Sequence, residues 1–174
     1  MKIESKKEIA ELRSKIYENA EKTYSRIAQN ITNDSPFELF ADIRFNKFGV
    51  DPIKGTPLNF IEQINQMFSD LVVLYAVEEL LSKYPDKKFE VNFGAKAGFD
   101  VQSSDEAVVA ECFAVTSVDS NSKLREDANK LMKLSKDVNK YIFFYSQNDS
   151  EEKLERKYLS FSEIAFVRIQ KLHF

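Results

Sequence analysis

Residues 89–134, FEVNFGAKAGFDVQSSDEAVVAECFAVTSVDSNSKLREDANKLMKL, decide how the chain is read. Phe89, Val91 and Phe93 alternate with Glu90 and Asn92, the period of a strand with one wet face. Gly94 to Gly98 has the length of a hairpin turn, Phe99 to Ser103 reads as a second strand, and Ser104, Asp105 and Glu106 form the next turn. Ala107 to Thr116 is almost wholly apolar, as expected of a central strand covered on both faces. Beyond it, Asp119 or Ser120 can cap a helix that puts Leu124, Ala128, Leu131 and Ser135 on one side. The predicted order is strand, strand, strand, helix.

Two carboxylates, Asp100 and Glu111, stand inside this apolar strand sequence. A buried charge is costly unless it is paired or coordinated, which makes the two the leading functional candidates. Val109, Glu111, Phe113 and Val115 share one face, and Glu111 is the only charge among them. Asp100 shares a face with Gln102. If the two strands pair through the 104–106 turn, the carboxylates approach and repel, so a proton, a cation or a basic neighbour must compensate. A divalent metal with bound water is the compensation that yields chemistry. The other outcome is that Glu111 pairs with a Lys or Arg from a helix while Asp100 ends its strand in water.

Outward from this core, Ser5 and Glu8 have capping-box spacing. Ile9, Leu12, Ile16, Ala20, Tyr24, Ile27 and Ile31 then predict a long amphipathic helix over about 6–30. Residues 36–49 read either as a short helix with Leu39, Phe40 and Ile43 inward or as an irregular aromatic segment, and DPIKGTP reads as a loop. Thr56 as cap and Pro57 at the first helical position start a second helix running from about Leu58 to Tyr84. Its apolar arc is wide enough to be buried between a sheet and another helix. Downstream, Tyr141 to Tyr145 reads as a buried strand, NDSEEKLERK as a charged turn or short helix, and the tail from Tyr158 as strand then helix. The sum is a mixed α/β fold, order α-α-β-β-β-α-β, with helices on both sides of the sheet. One domain spans 1–174, with an N-terminal helix and turn (1–35), a core (56–146) and a C-terminal extension (147–174).

Composition narrows the chemistry. One cysteine and one histidine in 174 residues exclude an internal disulfide and a thiolate zinc cluster, and argue against histidine-rich sites and a Ser-His-Asp triad. Any metal would be held by oxygens, which means Mg²⁺, Mn²⁺ or Ca²⁺. A net charge of −3 counts against a generic nucleic-acid-coating protein but leaves room for a local basic rim. No apolar run approaches the ~20 residues that span a bilayer, and the charged start lacks a signal-peptide core, so a soluble, cytoplasmic protein is expected. Lys123, Lys130 and Lys133 fall near one helix side and could meet phosphates, though Glu126 and Asp127 interleave with them as on a solvated face. Cys112, opposite Glu111, reads as a small buried apolar residue.

The order of elements, with GFDV on the second strand and AECF on the third, resembles the PD-(D/E)xK nuclease fold of type II restriction endonucleases. The resemblance covers roughly residues 56–146. It implies a restriction-endonuclease-like, metal-dependent DNA endonuclease in which Asp100 and Glu111 hold Mg²⁺ (or Mn²⁺). Glu62, on the helix before the sheet, would join them. In the family a Lys two residues after the carboxylate orients the attacking water, and here that position is Phe113. The resemblance therefore implies either that the basic role has moved, with Lys96 and Lys123 as substitutes, or that the chain is a non-catalytic member binding a protein or nucleic acid. Duplex cutting by this fold commonly uses a two-fold dimer, so a homodimer is a further expectation, with the first helix as its candidate interface.

Overall fold

The computed structural model describes residues 1–31, 35–94, 97–119 and 122–172; Lys96, Ser120 and His173 lie outside them. Helix α1, Lys6–Ile31, starts where the capping box predicts. Ser5 Oγ accepts the Glu8 N–H at 3.3 Å, and Glu8 Oε2 accepts the Ser5 hydroxyl and the Glu4 N–H at 2.9 Å each. Its inner stripe runs Ile9, Leu12, Ile16 and then Asn19 and Thr23. The expected continuation through Ala20 and Tyr24 fails, and Tyr24 and Ile31 are largely exposed. Polar side chains that find buried partners take the inner face in their place.

Residues 36–49 resolve to helix α2, Pro36–Phe45, with Ser35 and Glu38 forming a second capping box. Leu39 is buried and Ile43 half-buried, but Phe40 points outward. The DPIKGTP segment closes a hairpin between β2 (Gly49–Val50) and β3 (Pro57–Leu58). Asp51 Oδ1 takes the N–H groups of Ile53 (3.0 Å) and Lys54 (2.7 Å), and Gly55 sits at φ +69°. The Thr56 carbonyl is bound to the Asp51 N–H, so Thr56 belongs to the hairpin and not to a helix start. The cap moves to Asn59, whose Oδ1 accepts the Ile61 N–H, and α3 is Phe60–Lys83.

The main sheet has six strands. In spatial order they are β1 (Lys2–Ile3), β4 (Phe89–Val91), β5 (Val101–Ser103), β6 (Val108–Val115), β7 (Asn139–Ser146) and β8 (Ile164–Arg168). Each of the first four is antiparallel to its neighbour, and β6, β7 and β8 run parallel. The parallel steps need crossovers, supplied by α4 (Lys123–Leu131) and α5 (Glu151–Tyr158). Ser122 stands at the start of α4 without a side-chain cap bond, and Asp119 binds Lys153 (2.8 Å) and Lys157 instead of capping the helix. In the tail the predicted strand is present as β8, and no helix follows it among the described residues. The edge strand β1 had no signal in the sequence: two residues are too short for a period.

The sheet separates two cores. One packs Ile9 and Ile16 of α1 and Leu74 and Leu80 of α3 onto Ala110, Cys112 and Phe143. The other packs Leu124 and Leu131 of α4 and Leu154 of α5 onto Val109, Phe113 and Phe144. Strand β6 feeds both faces alternately, as its pleat requires. A charge on β6 therefore has an apolar core on whichever side it points. Among the described residues no helix is long and apolar enough to cross a membrane.

Candidate active site

Strands β5 and β6 pair Val101 with Ala110 and Gln102 with Val109. At Asp100 the pairing ends, while β6 continues to Val115 beside β7 alone. Asp100 fills the opening: its Oδ2 accepts the Cys112 N–H at 2.7 Å, and its carbonyl accepts the Asn92 N–H at 2.9 Å. A side-chain carboxylate thus takes the bond that a strand carbonyl would have made, and Asp100 does not end its strand in water. Asp100 and Glu111 become neighbours across the splayed ladder, as the turn between the strands predicts.

On the α3 side, a cleft of about 270 Å³ opens beside Asp100, lined by Gln66, Asp70, Asn92, Cys112 and Lys123 among others. The helical carboxylate here is Asp70, which is 4% exposed. Glu62, the residue that the resemblance proposed, is exposed in the first turn of α3 and does not line the cleft. Eight helical residues place it roughly 12 Å along the axis from Asp70. Asp70 was findable, being the only charge between Gln63 and Val77.

On the α4 side, Glu111 is 2% exposed and meets the ammonium of Lys130. Lys130 also donates to the Gly98 carbonyl and lies 4.7 Å from the centre of the Phe99 ring. The pairing of Glu111 with a helix lysine, one of the two outcomes open from the sequence, is what the structure contains. Two turns earlier, Lys123 Nζ bonds Asp127 Oδ1 at 2.7 Å, and the other Asp127 oxygen has no hydrogen-bond partner among the described residues. Of the two lysines proposed to replace the motif lysine, Lys123 reaches the cleft and Lys96 lies outside the described residues. Phe113 is 3% exposed and stacks on Phe144 at 5.6 Å between ring centres. That position belongs to the core, and a lysine there would bury an unpaired charge.

Among the described residues, the carboxylates of Asp70, Asp100, Glu111 and Asp127 on the two faces of the sheet outnumber the ammonium groups of Lys123 and Lys130 beside them. Burial, reinforced by the charges of Asp51 and Asp100, pushes Asp70 up to about 7, with Lys54 opposing. Burial likewise raises Glu111 well above the carboxylate range; Lys130 opposes this and Asp100 and Asp127 add to it. Within the Lys123–Asp127 pair, the carboxylate side chain is 5% exposed and the ammonium side 41%, so Asp127 bears the desolvation. Its pKa is raised by burial despite Lys123. Burial acts to lower the Lys123 pKa, but the bond to Asp127 and the surrounding carboxylates outweigh it, and Lys123 stays an ammonium. Burial pushes the Cys112 thiol up, and the neighbouring carboxylates push it further, so it is no thiolate nucleophile.

The donors around Asp100 are oxygens, the set that suits Mg²⁺ or Mn²⁺, and the excess negative charge calls for a cation. Among the described residues no three such side chains are gathered as a ligand group; Glu111 is turned to Lys130, whose ammonium fills the cation's role on that side. Compared with protein-family models, with curated proteins and with solved structures, the chain has no match.

Proposed function

We propose that the chain is a metal-dependent phosphodiester hydrolase acting on DNA, built on a restriction-endonuclease-like core. The observation that carries this reading is Asp100 at the splay of β5 from β6, with buried carboxylates on both sides that outnumber the ammonium groups beside them among the described residues. The order α3, β4, β5, β6, α4, β7 supports it as well.

Asp100 would be the central ligand of the metal, with Asp70 beside it in the cleft; Glu111, on the other face of β6, is held by Lys130. When bound, Mg²⁺ supplies a water of lowered pKa and neutralises charge developing on the phosphate. The Cys112 N–H binds Oδ2 of Asp100 and so fixes the orientation of its carboxylate beside the cleft. Lys123, held by Asp127, presents an ammonium to the cleft, where it binds a phosphate oxygen and stabilises the negative charge of the transition state. As an ammonium it cannot be the general base.

Plasmid nicking with Mg²⁺ and with Mn²⁺, for wild type, Asp70→Ala, Asp100→Ala and Glu111→Ala, tests this reading. The expected result is metal-dependent cutting that falls at least about 100-fold in the Asp100 and Glu111 variants. A second reading has its own observation: the Glu111–Lys130 pair and the aromatic Phe113 describe a site whose charge is already compensated from within. It makes the chain a non-catalytic binding module of the same fold. Under it, neither metal moves the melting temperature, and Asp100→Ala is as stable as wild type or more so. That pair of results, together with absent cutting, overturns the hydrolase.

A further inference from the structure

Between α4 and the end of α5 lies a cavity of about 370 Å³ whose described lining holds three cations and no carboxylate. Arg125 reaches it from α4, and Arg156 and Lys157 from the last turn of α5. The chain as a whole has more acidic than basic residues, 28 against 25, so three like charges around one cavity are not a matter of composition, and their mutual repulsion costs stability. The two residues of α5 have a local explanation. They complement the negative end of their own helix, Arg156 pairs with Glu152 one turn back, and Lys157 pairs with Asp119. Such exposed pairs are worth little: Arg156 and Glu152 are each 75% exposed, and Asp119 is shared with Lys153.

Arg125 has no such explanation. It stands in the first turn of α4, where the helix dipole disfavours a cation. The acid of that turn, Glu126, is bonded to Ser122, and among the described residues the Arg125 guanidinium has no hydrogen bond or ion pair. The remaining lining differs in kind. Leu124, a buried residue, gives the cavity an apolar floor. Phe161 adds a ring set against Phe166 at 6.4 Å between centres. Asn129, one turn on from Arg125, brings an amide with both donors and an acceptor.

We propose that this cavity binds a nucleotide, with the phosphate among Arg125, Arg156 and Lys157, the base against Leu124 and Phe161, and Asn129 at the polar edge of the base. Two guanidinium groups supply the planar, paired donors that phosphate oxygens accept. An inorganic anion would use the cations and leave the aromatic wall unoccupied, whereas a nucleotide uses both. The volume lies in the range of small-molecule sites. Arg125 follows Lys123 by two positions, about 200° round the helix, so the cavity is on the opposite flank of α4 from the Asp100 cleft. It rests on no part of the hydrolase reading.

The test is titration calorimetry of the full chain at low salt with AMP, GMP, CMP and UMP in turn, and with inorganic phosphate. Wild type, Arg125→Gln, Phe161→Leu and, as a charge control outside the cavity, Lys133→Gln are compared, with a melting curve on each. The expected result is that at least one nucleotide binds one site per chain, about tenfold or more tighter than inorganic phosphate. Arg125→Gln weakens both ligands about tenfold, Phe161→Leu weakens the nucleotide about threefold and leaves phosphate unchanged, and Lys133→Gln alters neither. Arg125 is exposed, so its variant keeps the fold and decides the matter even if Phe161→Leu does not. Absence of nucleotide binding at about 5 mM overturns the proposal, as does equal affinity for phosphate and nucleotide, or binding indifferent to Arg125→Gln. A DNA duplex that binds through Arg125 where no nucleotide does overturns it too, and makes the cavity a backbone contact.

Discussion

Helix α3 carries two buried polar side chains, Gln63 and Asp70, seven residues apart and so on nearly the same face, and they have opposite characters. Gln63 sits in a neutral cluster that is fully bonded. Its Oε1 accepts the Thr23 hydroxyl (2.7 Å) and the Val50 N–H (2.9 Å), and its Nε2 donates to the Asn19 carbonyl (3.3 Å). Asn19 in turn donates to the Pro52 carbonyl at 2.9 Å. These bonds hold α1, the β2–β3 hairpin and α3 together, and each buried group has its partner. Asp70 faces a cleft crowded with like charge, and burial drives it towards neutrality. The first cluster contributes to the fold. The second costs the fold stability, which is the physical ground on which it is a candidate for binding or chemistry.

That contrast can be broken by substitution, and the largest effect belongs to the neutral cluster. Gln63→Ala leaves the Val50 N–H without its partner, takes the nearer of the two acceptors from the Thr23 hydroxyl and opens a cavity. Urea denaturation should show a loss of about 3–4 kcal/mol that is independent of pH between 5 and 8. A loss under 1 kcal/mol would mean that the bonds are decorative.

Asp70→Asn should act in the opposite direction. The folded-state pKa of about 7 lies above the ordinary 3.8, so folding takes up a proton. The resulting stability is fully present below about pH 4 and is lost as pH rises through 7. The metal-free wild type should therefore weaken between pH 5 and pH 8, and Asp70→Asn should be the more stable protein at pH 8 by about 2–3 kcal/mol, with the gap closing towards pH 4. Mg²⁺ or Mn²⁺ at pH 8 should restore stability to the wild type and not to the variant. Denaturation midpoints across that pH range, with and without metal, decide the matter; a variant weaker than wild type at pH 8 without metal would return Asp70 to an ordinary structural role.

Smaller effects sharpen the contrast. A Cβ on Gly49 would press into Gln63 Oε1 and come within 3.0 Å of the Phe60 Cα, so Gly49→Ala should lower stability by about 2 kcal/mol. Much of that loss should disappear in a Gln63→Ala background, where the obstructing amide is gone. Lys130→Gln removes the partner of Glu111. Because Lys130 is 41% exposed on its side chain, the loss should be only about 1 kcal/mol at pH 8. If Lys130 substitutes for a metal, saturating Mn²⁺ should stabilise the variant more than it stabilises wild type. Equal metal shifts in the two proteins would separate Glu111 from the metal.

Local signals carried far into the tertiary structure wherever one side chain answers a backbone group nearby. Ser5 with Glu8 marked the start of α1, the alternation of Phe89 and Val91 marked β4, and the short turn at 104–106 was enough to bring Asp100 beside Glu111. The signals failed where a remote partner outweighed a local preference. Thr56 and Pro57 form a sound helix start in isolation, but the Asp51 N–H claims the Thr56 carbonyl, and Asn59 caps the helix instead. Tyr24 continues the apolar period of α1, yet Thr23 is buried because Gln63, forty residues away, accepts its hydroxyl proton.

The sequence by itself determined the class of fold, the central position of β6 and the anomaly of carboxylates in apolar strands, because periodicity and turn chemistry act over a few residues. It also limited any metal to oxygen ligands, since one cysteine and one histidine leave nothing else. Only the tertiary structure decided that Asp70 and not Glu62 stands at the site, that Lys130 meets Glu111, and that Phe113 is committed to the core. Those choices depend on which helix face packs on which side of the sheet. Burial against distant elements, and the desolvation that comes with it, sets that choice.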